Sequence, residues 1–246
     1  MKALILAALC VPVNAEARPF SEWQGAAWLH YEVSGLHDVE DTKGDSPAND
    51  LWLAGVRVHA VLGQSETVGY HVGFDFAFGA TVHGAGFAYD VAVFPVGVGV
   101  RVGRTGVIAL GAGFQAMGAT STIDDAVALP LEASAELGGG RLRLVARARA
   151  SWIAGADGRQ SAAPSIAFAD ELDAMIGLRI GHHYEQHGFP TGNGYFIGAT
   201  YRELAGTRFA GVVLGYALDM ATERKPLHPA RVRIIEPYGA DCQNCE

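Results

Sequence analysis

Alternating arginines are the residues of this sequence with the clearest chemical potential. The stretch RLRLVARARASW, residues 141–152, carries arginine at positions 141, 143, 147 and 149 within an otherwise apolar run. Guanidinium groups bind anions, so this spacing indicates either a basic binding strip or one half of an internal ladder of ion pairs. On a helix the four side chains would scatter around the axis, whereas on a β-strand they share one face. The pattern therefore predicts a strand.

Two glutamates can supply the opposite charge. Glu132 and Glu136 lie in the preceding apolar segment, and the turn sequence GGG separates them from the arginines. In an antiparallel hairpin around that turn, Glu136 falls close to Arg141 or Arg143, and Glu132 falls close to Arg147. Opposite charges on one face of neighbouring strands stabilise a hairpin modestly. The two segments therefore predict a hairpin with a charged face.

The elements that must position these charges follow a two-residue period. Residues 67–79, TVGYHVGFDFAFG, place Val, Tyr and Phe at every second position and Gly, His, Asp and Ala between them. Such alternation is typical of β-strands with one apolar face, and helical periodicity is nearly absent after the N-terminus. The predicted strands span residues 25–34, 51–63, 67–79, 86–103, 106–118, 126–137, 141–153, 171–184, 194–203 and 207–220.

The fourth segment leaves the strand count open. Its apolar residues change phase at Pro95. A β-bulge would repair the phase within one long strand, whereas a tight hairpin at this position would add a strand. Ten strands are predicted, with eight or twelve as alternatives.

This organisation resembles the small outer-membrane β-barrels of Gram-negative bacteria. The resemblance covers about residues 25–220 and lies in long alternating strands joined by short turns and longer loops in alternation. The segment FAGVVLGY also carries Gly211, Leu214 and Tyr216 at the spacing of the assembly signal in that class. The resemblance implies a single antiparallel up-and-down transmembrane barrel, porin-like in class, with both chain ends in the periplasm. Its implied partners are outer-membrane lipid and the barrel-assembly machinery.

The charged face of such a barrel must point inward. Arginine facing lipid at the bilayer midplane costs about 2–4 kcal/mol, so the polar face lines the lumen. These residues are expected to tie the barrel wall together and to fill its interior, because ten strands leave little open space. The predicted lumen charge network consists of Arg57, Asp75, Asp90, Glu132, Glu136, Arg143, Arg147, Arg149, Asp173 and Arg179.

The two ends of the chain lie outside the predicted barrel. Residues 1–17 combine a charged start, the apolar run ALILAALCVPV and an A-x-A-like cleavage site, which predicts a secretory signal peptide and export. The barrel domain is predicted over 18–220 and a periplasmic tail over 221–246. The tail holds Cys242 and Cys245, for which a local disulfide is expected in an oxidising compartment.

Other chemistry is weakly indicated. The net charge of −8 argues against a nucleic-acid surface. The acidic loop after the first strand does not have EF-hand spacing. No GxSxG or HExxH motif accompanies the histidines, although His83 lies at a predicted outer rim, where Asp38 or Asp125 could meet it. The sequence therefore assigns no catalytic residue, metal ion or cofactor.

Three functions remain open from the sequence. The first is an outer-membrane barrel with a charge-paired, largely filled lumen and a structural, adhesive or narrow-channel role. The second is a barrel enzyme that acts on lipid or peptide at the outer rim. The third is a soluble exported carrier, similar to a lipocalin, with an apolar cavity and a charged exterior. The sequence does not identify the oligomeric state.

Overall fold

The structure, a computed structural model, describes most of the predicted barrel. It covers residues 24–39, 50–63, 67–82, 86–102, 106–119, 123–139, 141–157, 169–186, 189–204 and 207–223. The strands are β1 (Gln24–Asp38), β2 (Leu51–Gly63), β3 (Val68–Thr81), β4 (Phe87–Val102), β5 (Gly106–Ala119), β6 (Ile123–Gly139), β7 (Leu142–Asp157), β8 (Glu171–Gln186), β9 (Phe189–Leu204) and β10 (Thr207–Glu223). Within these ranges no helix is long and apolar enough to cross a bilayer. The predicted signal peptide, His83 and residues 224–246, with Cys242 and Cys245, lie outside the described residues, whereas residues 221–223 of the predicted tail belong to β10.

The ten strands form one closed antiparallel barrel. Each strand pairs with its neighbours in sequence, and β10 pairs with β1 to close the sheet. This closing pair runs from Gln24 opposite Glu223 to Asp38 opposite Phe209. The segment proposed as an assembly signal, residues 209–216, therefore lies in the closing strand. The predicted fold class and strand count are confirmed.

The segment around Pro95 is one strand with a bulge. The pairing of β4 with β5 shifts register between Val93 and Val96, and its pairing with β3 shifts between Tyr70 and Gly73. A bulge inserts an extra residue and so exchanges the two faces of the strand beyond it. Proline is tolerated there because it has no N–H to contribute to the ladder. The change of apolar phase in the sequence has this origin.

Connection lengths distinguish the two ends of the barrel. At one end, β2–β3, β4–β5, β6–β7 and β8–β9 are joined by two to four residues, whereas the other end has the long connections after β1 and β7. The predicted strands 171–184 and 194–203 left residues 185–193 as a connection at the short-turn end, and these bounds were wrong. Glu185 pairs with Pro190, so most of that stretch is strand. Gly192, with φ of 143°, has a backbone conformation that favours glycine. The residues whose composition resembled a turn are therefore part of a paired strand.

The exterior of the barrel is apolar. Ile176 is 58% exposed, Leu214 is 54% exposed and Phe114 is 62% exposed. Tyr195 and Trp152 are also exposed and lie toward opposite rims. An apolar band of about 25 Å flanked by aromatic residues is the surface of a transmembrane barrel. The distribution is the reverse of that expected for a soluble carrier with a charged exterior.

The lumen is filled by the alternate residues of each strand. At the end with the long connections, buried side chains form an apolar layer that consists of Leu36, Leu51, Leu53, Ala88, Met117, Ala126, Ala128, Leu204 and Phe209. Polar and charged side chains fill the barrel below this layer. In the part of the barrel that the structure describes, both layers consist of buried side chains.

Glycines on the lumen face make room for large rings. A Cβ atom at Gly73 would lie 2.6 Å from Nδ1 of His59, and one at Gly97 would lie 2.8 Å from Nδ1 of His71. Both distances are below normal contact, so an alanine at either position would displace a ring. The glycines of the polar face thus set where the imidazole rings can lie.

Lipid-facing substitutions provide a test of the exterior. We expect Ile176→Arg, in the middle of β8, to lower the free energy of unfolding in lipid vesicles by about 2–4 kcal/mol. Leu142→Arg, at the short-turn end of β7, is the control and should cost about 0–1 kcal/mol because arginine there reaches the interface. Denaturant titration of the vesicle-embedded protein measures both. Equal costs at the two positions would contradict the assignment of the membrane face.

Candidate functional site: the charged lumen

The structure places the ten residues of the predicted charge network inside the barrel. Nine are buried, and Glu136 is half-buried. Together with three further residues they form two groups. The central network contains Glu32, Arg57, Asp75, Asp90, Glu132, Arg147, Arg149, Asp173 and Arg202. The lower network, nearer the short turns, contains Glu136, Arg143, Arg179 and Asp219.

Arg149 is the centre of the central network. Its guanidinium donates to Asp75 on β3, to Asp90 on β4 at 3.2 Å and to Glu132 on β6 at 3.0 Å. Arg57 lies beside it and contacts two of the same carboxylates, Asp75 at 2.9 Å and Glu132 at 2.6 Å. One arginine of β7 therefore joins three other strands through the lumen.

Further ion pairs cross the barrel. Arg202 on β9 contacts Asp90 on β4, five strands away around the wall, and also contacts Asp173 at 3.2 Å. Arg147 on β7 contacts Glu32 on β1 at 3.4 Å. Side chains that meet from opposite walls occupy the cross-section between them. Ion pairs therefore span the lumen at this level.

The lower network is smaller and equally buried. Nη1 of Arg179 donates to Glu136 at 2.6 Å and to Asp219 at 2.7 Å, and Nη1 of Arg143 approaches the same two carboxylates at 3.2 and 3.4 Å. Arg179 also donates to the carbonyl of Ala217. These contacts join β6, β7, β8 and β10 near the short-turn end.

Charge is nearly balanced in both networks. The central network sets four arginines against five carboxylates, and the lower network sets two against two. A buried ion pair gives little net stability, because desolvation offsets most of the attraction between the charges. Removing one partner is costly, because it leaves a buried charge uncompensated. The networks therefore fix the arrangement of the interior more than they add stability.

A chain of imidazole rings extends the central network. His59 hydrogen-bonds through Nε2 to Asp75 at 2.7 Å and through Nδ1 to His71 at 2.9 Å. Trp28 stacks on both rings, with centroids 6.0 and 6.2 Å away. No hydroxyl or thiol of the described residues hydrogen-bonds to either imidazole, so the chain lacks an adjoining nucleophile there. Its geometry is that of a packed, hydrogen-bonded interior.

A small cavity separates the two networks. Its volume is about 40 Å³, and its lining includes Trp28, His30, Glu136, Arg147 and Asp219. This is room for about three water molecules. The described lumen below the apolar layer is therefore lined by polar groups and contains a small cavity.

Two groups of side chains in the lumen have the composition of metal-ligand sets. One consists of His30, Glu136 and Asp219, and the other of His59, Asp75 and Glu132. In each group, one ligand-type atom per residue lies within 4.8 Å of the others. Either could hold a divalent cation on composition alone.

Comparisons with known proteins find no family. No protein-family model and no curated protein matches the sequence. The chain is similar to an outer membrane channel from Pseudomonas putida F1, with 11% identity, a TM-score of 0.37 and coverage of 86% of this chain and 99% of that one. It is also similar to the translocator domain of the autotransporter NalP from Neisseria meningitidis, with 10% identity, a TM-score of 0.34 and coverage of 89% and 94%. Similarities of this strength assign neither a family nor an activity.

The hairpin register differs from the one expected. Glu132 lies opposite Arg149, not Arg147, and Glu136 reaches Arg143 diagonally. The reason is that the turn is centred further along the chain than expected. Arg141 consequently lies in the turn and is exposed, so only three of the four alternating arginines line the lumen.

Several lumen residues were not singled out from the sequence. They are Trp28, His30, Glu32, His59, His71 and Asp219. A usable signal existed for two of them, since His59 is two residues from Arg57 and His71 is four residues from Asp75, which puts each pair on one strand face. His83, the histidine placed at the outer rim from the sequence, lies outside the described residues. Asp125 is exposed and accepts a hydrogen bond from Tyr89 at 2.9 Å.

Removing the central arginine should destabilise the barrel. We expect Arg149→Leu to lower the free energy of unfolding by about 3–5 kcal/mol, because it leaves buried carboxylates uncompensated. Arg141→Leu is the matched control in the same stretch, and it should change stability by no more than about 0.5 kcal/mol because the side chain is exposed. Urea midpoints in lipid vesicles compare the two. Similar midpoints would mean that Arg149 does not anchor the lumen.

Proposed function

We propose that this protein is an outer-membrane β-barrel whose lumen is closed to solutes and whose role is structural or adhesive. The observation that supports this proposal most directly is the set of ion pairs between opposite walls, in particular Arg202 with Asp90 and Arg149 with Asp75. A solute could pass only if several of these buried pairs separated together. Each unpaired charge would then remain in a largely desolvated interior, which is unfavourable.

A second closure supports the same proposal. The apolar layer lies between the central network and the long connections, and Leu51, Leu204 and Phe209 in it have no exposed surface. Strands β5 and β9 also approach within 8 Å between Cα atoms, although they lie on opposite sides of the lumen. Solute passage would therefore meet both a charged and an apolar barrier.

The outward-facing parts of the chain would then carry the role. The connections at the end with the long loops include the acidic sequence EDTKGDSPAN at residues 40–49. At the adjoining rim, His37 contacts Asp50 at 2.9 Å, and this histidine is exposed. A rigid, closed barrel is a suitable anchor for surface loops that contact another molecule, because its wall does not have to move. The predicted signal peptide agrees with export to the outer membrane.

A narrow channel is the second candidate. The polar lumen and the cavity beside His30 favour it, since polar groups extend over much of the barrel length. This role would need an open state in which the apolar layer separates. An enzymatic role has less support, because the imidazole chain of His59 and His71 has no adjoining nucleophile among the described residues.

Conductance in planar bilayers separates the candidates. We expect the purified protein to insert without producing steady current steps, while a known porin inserted in the same way gives them. Insertion is verified by heat-modifiable migration on gels of the protein recovered from vesicles. Reproducible unitary conductance from the inserted protein would overturn the closed-barrel proposal and favour the narrow channel.

A further inference from the structure

The two potential ligand sets of the lumen differ in whether their atoms are already used. In the set formed by His59, Asp75 and Glu132, both ring nitrogens of His59 are hydrogen-bonded, and Nη2 of Arg57 contacts both carboxylates. Every ligand-type atom of this set therefore has a partner within the protein. This set is complete without a ligand.

In the set formed by His30, Glu136 and Asp219, Arg143 and Arg179 also contact both carboxylates, but two ligand-type atoms remain without a partner. His30 is only 7% exposed and Asp219 8% exposed, yet neither Nε2 of His30 nor Oδ1 of Asp219 has a hydrogen-bond partner. Both residues line the cavity of about 40 Å³. A buried polar atom without a partner is unfavourable, because it has lost its hydrogen bonds to water. These two atoms belong to residues that line one cavity, and no protein group supplies either atom with a partner. A bound species in the cavity would provide the missing contacts.

The chemistry of these atoms selects the ligand. An imidazole nitrogen and carboxylate oxygens together are the donors that Zn²⁺ and similar divalent transition-metal ions take in proteins, and water completes an open site. We propose that His30, Asp219 and Glu136 bind such an ion in the lumen, with cavity water in the remaining positions. The ligands come from β1, β10 and β6, so the ion would link the closing pair of strands to the facing wall.

The surroundings would hold these ligands in place. The ring of His30 packs against Phe196, with centroids 5.6 Å apart. Arg179 donates to Oδ2 of Asp219 and leaves Oδ1 available. Hydrogen bonds to the atoms of a ligand that do not touch the metal orient that ligand. Phe196 and Arg179 thus have positioning roles.

The neighbouring arginines limit the affinity. Arg143 and Arg179 already balance the two carboxylates of the lower network, so a divalent ion adds positive charge. Binding should therefore be moderate in the wild type and tighter when one guanidinium is removed. The effect of removing Arg143 on affinity distinguishes the lumen site from adventitious binding at the surface, because Arg143 is buried in the lumen.

The test is Zn²⁺ binding to the untagged, refolded barrel in detergent. Cys242 and Cys245 are replaced by serine to remove thiol ligands. Isothermal titration should give one Zn²⁺ per chain, and His30→Ala should weaken binding by about tenfold or more. His37→Ala removes an exposed histidine beside a carboxylate and is the matched control, with unchanged binding expected. Absence of stoichiometric binding to the parent barrel, or unchanged binding in His30→Ala, would overturn the proposal.

Further measurements test whether the Zn²⁺ binds at the lumen site. Heat-modifiable migration confirms that each variant is folded, and the visible spectrum of bound Co²⁺ should change in His30→Ala. In a folded Arg143→Leu variant, Zn²⁺ should bind about tenfold more tightly, because a unit positive charge near the ion is removed. Weaker binding in that variant would overturn the assignment of the ion to this site. None of these outcomes depends on whether the lumen conducts.

Discussion

An unpaired guanidinium group is unfavourable both in hydrocarbon and in a desolvated interior, and this constraint determines the arrangement of the whole barrel. Arginines on β2, β7, β8 and β9 must face the lumen, since the other face of each strand meets lipid. Once inside, they need carboxylates, which come from β1, β3, β4, β6, β8 and β10. The pairs lie across the barrel as well as between neighbouring strands. The ion pairs across the lumen therefore follow from charge compensation.

The sequence predicts the wall of this barrel better than its interior. Two-residue alternation identifies the strands and their faces, because side chains of a strand point alternately to opposite sides. The same rule places Arg143, Arg147 and Arg149 on the lumen side. It does not determine register, which depends on the residues that form each turn, and for that reason the partner of Glu132 was expected at the wrong arginine.

Contacts across the lumen are beyond such a rule. Arg202 and Asp90 are 112 positions apart, and nothing in their local sequences links them. The same holds for His30, Glu136 and Asp219, whose relation appears only when β1, β6 and β10 surround a common space. The glycines are an intermediate case. Gly73 and Gly97 look like weak strand residues, but the structure uses their missing side chains to seat imidazole rings.

Closure of the sheet between the first and last strands has a consequence for how the protein can be made. Glu32 and Asp219 lie on the strands that meet last in an N- to C-terminal order, yet they balance arginines on β7 and β8. A partly formed sheet that entered the bilayer one hairpin at a time would carry these charges uncompensated. Pairings between distant parts of a chain also form slowly. Biogenesis is thus least costly when the sheet curls, neutralises its interior and joins its edges in a single concerted stage.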